Sequence, residues 1–281
     1  MAEKISVELG KVQITLLLPL WGRYMETRKK KPVLIDKTAA EIISKVDYDF
    51  AKLSETIHPV TQFEWIARSI HIDRTIGRFL EKHPKATIVN IGCGLDTTFD
   101  RVDNGKLLWY DLDLPDVIEL RRQFIPESGR RRFISSSFLE DGWLNGLHVE
   151  DNILFMAAGV FYYIEETQMK KFFDKIAAAY PGSEIVFDAA SPLGVQAANK
   201  HLIDKVGLDE SSYLKWGVQT AAEITKWNGS IEVVREYPIY KGMTKGMKLK
   251  YKYMAYMSDK YKIMYMIHLR MKNKFNILPL K

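Results

Sequence analysis

The central part of the chain alternates short apolar runs with longer segments of helical period. Ile88, Val89 and Ile91 make the first run, and Leu107 to Tyr110 the second. Arg132 to Ser136, Ile153 to Ala157 and Glu184 to Phe187 follow. Their length suits strands of a sheet, and unbroken apolar runs mark strands buried on both faces. Between them, Val117, Ile118, Leu120 and Phe124 follow Pro115. Met169, Phe172, Phe173, Ile176 and Ala177 repeat at helical spacing from Glu165 to Tyr180, where Pro181-Gly182 stops the pattern. Strands alternating with helices at this rhythm predict an α/β fold: a parallel sheet with helices on both faces.

The flanks are patterned differently. Leu16, Leu17, Leu18, Leu20 and Trp21 precede a run of Arg and Lys that ends at Pro32, which predicts an apolar-sided helical cap. Thr38 and Glu41 have capping-box spacing and open a helix with Ile42, Ile43 and Val46 inward. A long helix over 62–82 turns Phe63, Ile66, Ala67, Ile70, Phe79 and Leu80 to the core, with Arg68 beside that stripe. Residues 192–218 are irregular and predict an insertion over the carboxyl edge of the sheet, where ligands bind in such folds. Strands Ile231 to Ile239 and Ile263 to Leu269 close the chain. Residues 245–260 between them alternate like a strand yet also fit a helix, and the helical reading is adopted, with Met247, Tyr251 and Met254 on one face. The expectation is a single domain, 1–281, with a helical N-terminal cap over 1–60 and a substrate lid over 192–218.

The chemistry sits between the first two strands. Gly92 and Gly94 follow the first strand at once, which allows a sharp turn and a close approach of backbone to ligand. The second strand ends in Asp111-Leu112-Asp113. A glycine loop after one strand and a carboxylate after the next is the pattern of an adenosine-binding crevice, the acid accepting from the ribose hydroxyls. A dinucleotide fingerprint would carry a third glycine to seat a pyrophosphate. Thr97 stands in that place, so the loop suits S-adenosyl-L-methionine. Cys93, between the glycines, reads as a small residue filling space under the cofactor.

These residues together carry a resemblance. The segments PLWGRYMETRKKKP, AAEIISKVDYDF, IVNIGCGLDTTFDRVDNGKLLWYDLDLPDVIELRR and RRFISSS, with the strand before VFYYI, resemble class I methyltransferases of the leucine carboxyl methyltransferase family, in its bacterial branch of polyketide O-methyltransferases. The resemblance covers roughly Ile14 to Asp188 and fades after Pro192. It implies a Rossmann-like seven-stranded, mostly parallel sheet with an antiparallel last strand, and S-adenosyl-L-methionine as cofactor. It implies that Arg68 holds the methionine carboxylate, that Gly92, Cys93 and Gly94 form the cofactor loop, and that Asp113, beside Leu114, takes the ribose. Asp111 is a second ribose candidate. Ser137 and Phe138 match the pair beside the adenine. Ala158 and Gly159 end the fourth strand, where the family usually has a glutamate before Gly-Val; here that place is Ala158.

Composition narrows the picture. Hydrophobic residues at 47% and charged residues at 27% are ordinary for a soluble globular protein. One cysteine excludes an internal disulfide and fits a reducing compartment. No apolar run reaches the ~18 residues of a membrane span; the expectation is a cytoplasmic protein with no membrane partner. Residues 231–281 hold 12 Lys and Arg against 3 Asp and Glu. That basic end reads as a solvated face over a packed core, not a nucleic-acid site. No two of the six histidines have metal-ligand spacing, so no metal is expected.

The function expected is methyl transfer to an oxygen of a small, apolar or aromatic acceptor. The strand ends offer Asp188, Tyr162 and Tyr163 but no histidine, and His201 falls in the proposed lid. A phenol must lose a proton before attack, whereas a carboxylate is already ionised at pH 7. A carboxylate acceptor is therefore favoured over a phenol. The alternatives are a non-catalytic S-adenosyl-L-methionine binder, and an NAD-dependent dehydrogenase on a doubly wound sheet.

Overall fold

A computed structural model describes residues 4–6, 16–50, 57–200 and 213–273. Ile14, His201 and the middle of the expected lid lie outside the described residues. The chain opens with a two-residue strand β1 (Ile5–Ser6), then helices α1 (Leu17–Thr27) and α2 (Lys37–Lys45), and strand β2 (Val46–Asp47), which pairs with β1 in parallel. Helix α3 (Pro59–Lys82) leads into β3 (Thr87–Ile91), α4 (Thr98–Val102), β4 (Leu108–Asp113), α5 (Pro115–Arg122), β5 (Arg131–Ser135) and β6 (Ile153–Ala157). Then come α6 (Glu166–Ala179), β7 (Glu184–Ala189), α7 (Pro192–Ala198), α8 (Ala221–Thr225), β8 (Ile231–Pro238), α9 (Leu249–Tyr261) and β9 (Tyr265–Met271).

Seven strands form one sheet in the order β5-β4-β3-β6-β7-β9-β8. β3 to β7 pair in parallel. The last strand, β9, runs antiparallel between β7 and β8. The mostly parallel sheet with an antiparallel last strand is as the sequence implied. Alternation along each strand feeds two apolar layers. Val89, Ile91, Phe155 and Phe187 face α6 through Phe172, Phe173 and Ile176. Ile88, Trp109, Leu154 and Val186 face α3 through Ile72, Ile76 and Phe79. A third cluster, with Leu17, Trp21, Ile42, Ile43 and Leu95, seats the N-terminal helices beside the glycine loop.

Three details differ from expectation. Helix α2 starts two residues earlier than the capping box would set it, and its cap is Asp36, whose Oδ1 accepts from the Ala39 N–H at 2.9 Å. An aspartate at that position already supplies the oxygen that Thr38 was expected to give. Helix α3 likewise begins earlier, at Pro59, because a proline at N1 gives up no hydrogen bond there. Helix α9 is a helix, but only Ala255 on it is fully buried. Tyr251 packs on the core, whereas Met254 is 42% exposed, because this part of α9 lies over a cavity.

Candidate active site

The sheet register sets the site. Ile91, Leu112, Ile134, Ala157 and Phe187 stand in one row across five parallel strands. One residue beyond that row come Gly92, Asp113, Ala158 and Asp188. Four residues distant in sequence are thereby aligned along the carboxyl edge, at strand spacings of about 4.8 Å.

Gly92 holds φ +62°, and a Cβ there would lie 2.5 Å from Val160 Cγ2. Only glycine fits, by backbone conformation and by space. Its N–H and that of Cys93 donate to Leu112 O at 2.8 and 3.2 Å, which folds the loop back over β4. The Gly94 N–H donates to Asp113 Oδ2 at 2.8 Å, and the Leu114 N–H to Oδ1 at 2.8 Å. Each Asp113 oxygen keeps further accepting capacity. Burial pushes the Asp113 carboxyl up from its usual range, against those two N–H groups. Leu114, 47% exposed, stands beside it. Cys93 is buried, and burial pushes its thiol well up, so it is inert packing.

Asp111 does not face the crevice. It is fully buried, and Oδ1 accepts from Asn90 Nδ2 at 3.0 Å and Trp109 Nε1 at 2.8 Å. Oδ2 accepts from Arg121 Nη2 at 2.8 Å and Arg131 Nε at 3.0 Å. Arg121 also donates to Gly94 O and Asp96 O at 2.7 and 2.8 Å. The structure therefore gives Asp111 a supporting place under the loop, with its lone pairs taken, instead of a ribose contact. Thr97 has a similar part: its hydroxyl donates to Asp36 Oδ2 at 2.5 Å, and the same oxygen accepts from Arg23 and Arg101. The residue standing for a third glycine ties the loop to the N-terminal helices.

Arg68 projects from α3 beneath the fourth and fifth strand ends. Its Nη1 donates to Asp188 Oδ2 at 2.8 Å and to Tyr162 OH at 3.4 Å, and Asp188 Oδ1 accepts from the Gly159 N–H at 2.7 Å. Gly159 is at φ +77°, and a Cβ would come within 2.8 Å of Arg68 Nη1. Among the described residues, Arg68 Nε and Nη2 have no hydrogen-bond partner.

These groups open on a cavity of about 970 Å³. Arg68, Gly92, Cys93, Gly94, Ala158 and Gly159 line it. Asp113, Leu114, Ser137 and Phe138 lie outside its lining. The Phe138 ring packs edge-on against Phe172 at 5.2 Å, and Ser137 Oγ accepts from the Leu139 N–H at 3.3 Å. The roof comes from α1, α7 and α9, with Leu214 beside them. Asp96 lines the cavity too. Burial pushes its carboxyl up, but Arg23, Arg101 and Thr98 outweigh that and hold it at about 2.

Glu64 is the group the sequence reading missed. It lines the cavity, and Tyr240 OH donates to its Oε2 at 2.9 Å. Burial is the largest influence on it and raises its pKa to about 7, against the Tyr240 hydrogen bond and Arg68. The available signal was its place four residues before Arg68, which puts both on one face of α3. A carboxyl whose folded pKa is raised stabilises the fold below its unfolded value, near 4.5, and that contribution is lost as pH rises through 7. Glu64→Gln should thus match the wild type in stability at pH 4. At pH 8 it should be more stable by on the order of 2–3 kcal/mol. Denaturant titrations at the two pH values check this; equal stability at both would refute the shift.

Over residues 17–177, more than half of its length, the sequence matches the leucine carboxyl methyltransferase family. The chain belongs to that family. It is 33% identical over 188 residues to the tetracenomycin polyketide synthesis O-methyltransferase TcmP of Streptomyces glaucescens, a match covering 66% of this chain and 69% of that one. It is 29% identical over 206 residues to the S-adenosyl-L-methionine-dependent methyltransferase dpfgK of Gibberella zeae, covering 66% and 69%. A DUF574 family protein from Streptomyces avermitilis shares the fold, with a TM-score of 0.58 at 11% identity, covering 89% of this chain and 97% of that one. As a member of the leucine carboxyl methyltransferase family, the chain is an S-adenosyl-L-methionine-dependent methyltransferase. The residues present fit that cofactor: a glycine loop that a Cβ would block, a carboxylate with lone pairs to spare, and an arginine with donors left over.

Proposed function

We propose that the protein transfers the methyl group of S-adenosyl-L-methionine to an oxygen of a small, largely apolar acceptor. The observation that carries this is the cavity, with Arg68 and the glycine loop on its floor and apolar and aromatic side chains over it. When bound, the cofactor supplies a methyl group on a sulfonium already activated for displacement. Arg68 would hold the methionine carboxylate with Nε and Nη2, and Asp113 the ribose hydroxyls. Leu114, Ser137 and Phe138 would flank the adenine, and Gly92 to Gly94 would lie against the cofactor backbone. The protein then mainly aligns the reactants and excludes water.

Asp113→Ala tests the cofactor half. Losing a charge-assisted ribose contact should weaken S-adenosyl-L-methionine by about 1.5–3 kcal/mol in calorimetry. Unchanged affinity would refute the assignment. Turnover with any acceptor separates this reading from a binder without activity.

Among the described residues no helix is long and apolar enough to cross a membrane. We place the protein in the cytoplasm with a small molecule, not nucleic acid, as partner. In support, two of the exposed aromatic residues of α9, Tyr253 and Tyr261, line the cavity. A carboxylate acceptor is favoured over a phenol, because the strand ends offer Asp188, Tyr162 and Tyr163 but no histidine.

A further inference from the structure

We propose that Glu64, oriented by Tyr240, holds the ammonium group at the methionine end of S-adenosyl-L-methionine, next to the carboxylate that Arg68 takes. This rests on the methyl-transfer reading above.

The chemistry of the cofactor sets what the site must offer. Its methionine end carries a carboxylate and an ammonium on one carbon. The group that holds the second must therefore stand beside the group that holds the first. Glu64 lies one turn before Arg68 on α3, about 6 Å along the helix axis and on the same face. Its side chain is part-buried and lines the same cavity.

The strand ends beside Arg68 are less suited. Ala158, in the edge row between Gly92 and Asp188, presents a methyl group. Asp188 is a carboxylate, but its Oδ2 accepts from Arg68 and its Oδ1 from the Gly159 N–H. Asp96 lines the cavity too, yet it answers to Arg23, Arg101 and Thr98 beneath the loop. Glu64 has capacity to spare. Tyr240 OH donates to Oε2 at 2.9 Å, which fills one of about four lone-pair sites on the carboxylate. The same hydroxyl stands 3.2 Å from Val60 O, in the first turn of α3. Tyr240 is thus tied to the helix that carries Glu64, and the carboxylate is aimed before the cofactor arrives.

The charges around Glu64 suit an anion whose cation comes with the ligand. Burial is the largest influence and opposes the charged form, as do Asp188 at the end of β7 and Asp259 on α9. Tyr240, beyond β8, and Arg68 favour it, and the balance leaves the carboxyl at about 7. Tyr162 also faces it, and burial pushes that phenol well up, so it adds no charge. Arg68 is shared with Asp188 and compensates Glu64 only in part. An ammonium in contact would supply the missing cation and favour the carboxylate. Binding should therefore drive a proton off Glu64, and by reciprocity binding should strengthen as pH rises towards 7.

The experiment uses the full-length protein and two unreactive probes: S-adenosyl-L-homocysteine, and its analogue with hydrogen in place of the amino group. Neither carries the sulfonium charge, so the pair isolates the ammonium. Calorimetry at pH 6.5 in buffers of different ionisation heat counts protons. There Glu64 is about three-quarters protonated, while an α-amino group, titrating at about 7.7–8.0, is charged. S-adenosyl-L-homocysteine should release about 0.7 proton per site, and the deaminated probe close to none. At pH 7.5, loss of the amino group should weaken binding at least about tenfold. Glu64→Gln should weaken S-adenosyl-L-homocysteine by a similar factor and abolish the proton release, while leaving the deaminated probe within about threefold. Equal proton release by both probes, release that survives Glu64→Gln, or unchanged affinity for S-adenosyl-L-homocysteine in that variant would each overturn the proposal. Equal weakening of both probes would also overturn it, by reducing Glu64 to a structural part. A wild type that binds neither S-adenosyl-L-methionine nor S-adenosyl-L-homocysteine would instead overturn the reading beneath it.

Discussion

Asp111→Ala should be among the most destabilising single substitutions in this protein, costing about 3–5 kcal/mol. Asp111 and Arg121 are fully buried and Arg131 nearly so, and the one carboxylate accepts from both guanidinium groups. Removing it leaves Arg121 with no carboxylate partner, and Arg131 with only Asp100 at 3.3 Å, in a site that water does not reach. Their mutual repulsion adds to the desolvation cost. The damage should reach function as well, because Arg121 pins the carbonyls of Gly94 and Asp96 and so fixes the glycine loop, the proposed cofactor site. Thermal melting should show a fall of roughly 6–15 °C. Asp113→Ala, two residues further on, should shift the melt far less, since it leaves no buried charge behind. If the two variants melt together, the division between a supporting and a binding aspartate is wrong.

Arg68→Ala should produce two losses at once. It strips Asp188, 1% exposed, of its cation and leaves a buried carboxylate with the Gly159 N–H, a cost of about 3–5 kcal/mol in stability. It should also weaken S-adenosyl-L-methionine by at least about tenfold, through the lost charge-assisted contact. The double variant Arg68→Met/Asp188→Asn separates the effects. With no charge left unpaired, and with the carbonyl of the introduced amide still able to accept from the Gly159 N–H, most of the stability should return. Cofactor affinity should not. Denaturant unfolding and calorimetry on the single and double variants decide it; recovery of binding in the double variant would remove Arg68 from the cofactor site.

What the amino-acid sequence determined by itself was everything that depends on local period and on short-range chemistry. Unbroken apolar runs placed β3, β4, β6 and β7 to within a residue or two, because buried strands need apolar side chains on both faces, whereas β5, at the sheet edge, carries two arginines and a serine. The glycine loop was legible because a carboxylate after the next strand accompanied Gly92 and Gly94, which a plain turn would also use, and Thr97 separated the cofactor class. What only the tertiary structure decided depends on which groups meet across the fold. Asp111 and Asp113 are two apart and look alike in sequence. Their fates differ because the first stays within the sheet, where Arg121 and Arg131 reach it, while the second stands at the strand end beside the loop. Glu64 looked like a polar position on a helix. Its environment comes from Tyr240, 176 residues away, and from the cavity that α1, α7 and α9 close over it. A carboxyl's protonation is set by solvent access and neighbouring charge, and a linear sequence specifies neither until the chain has folded.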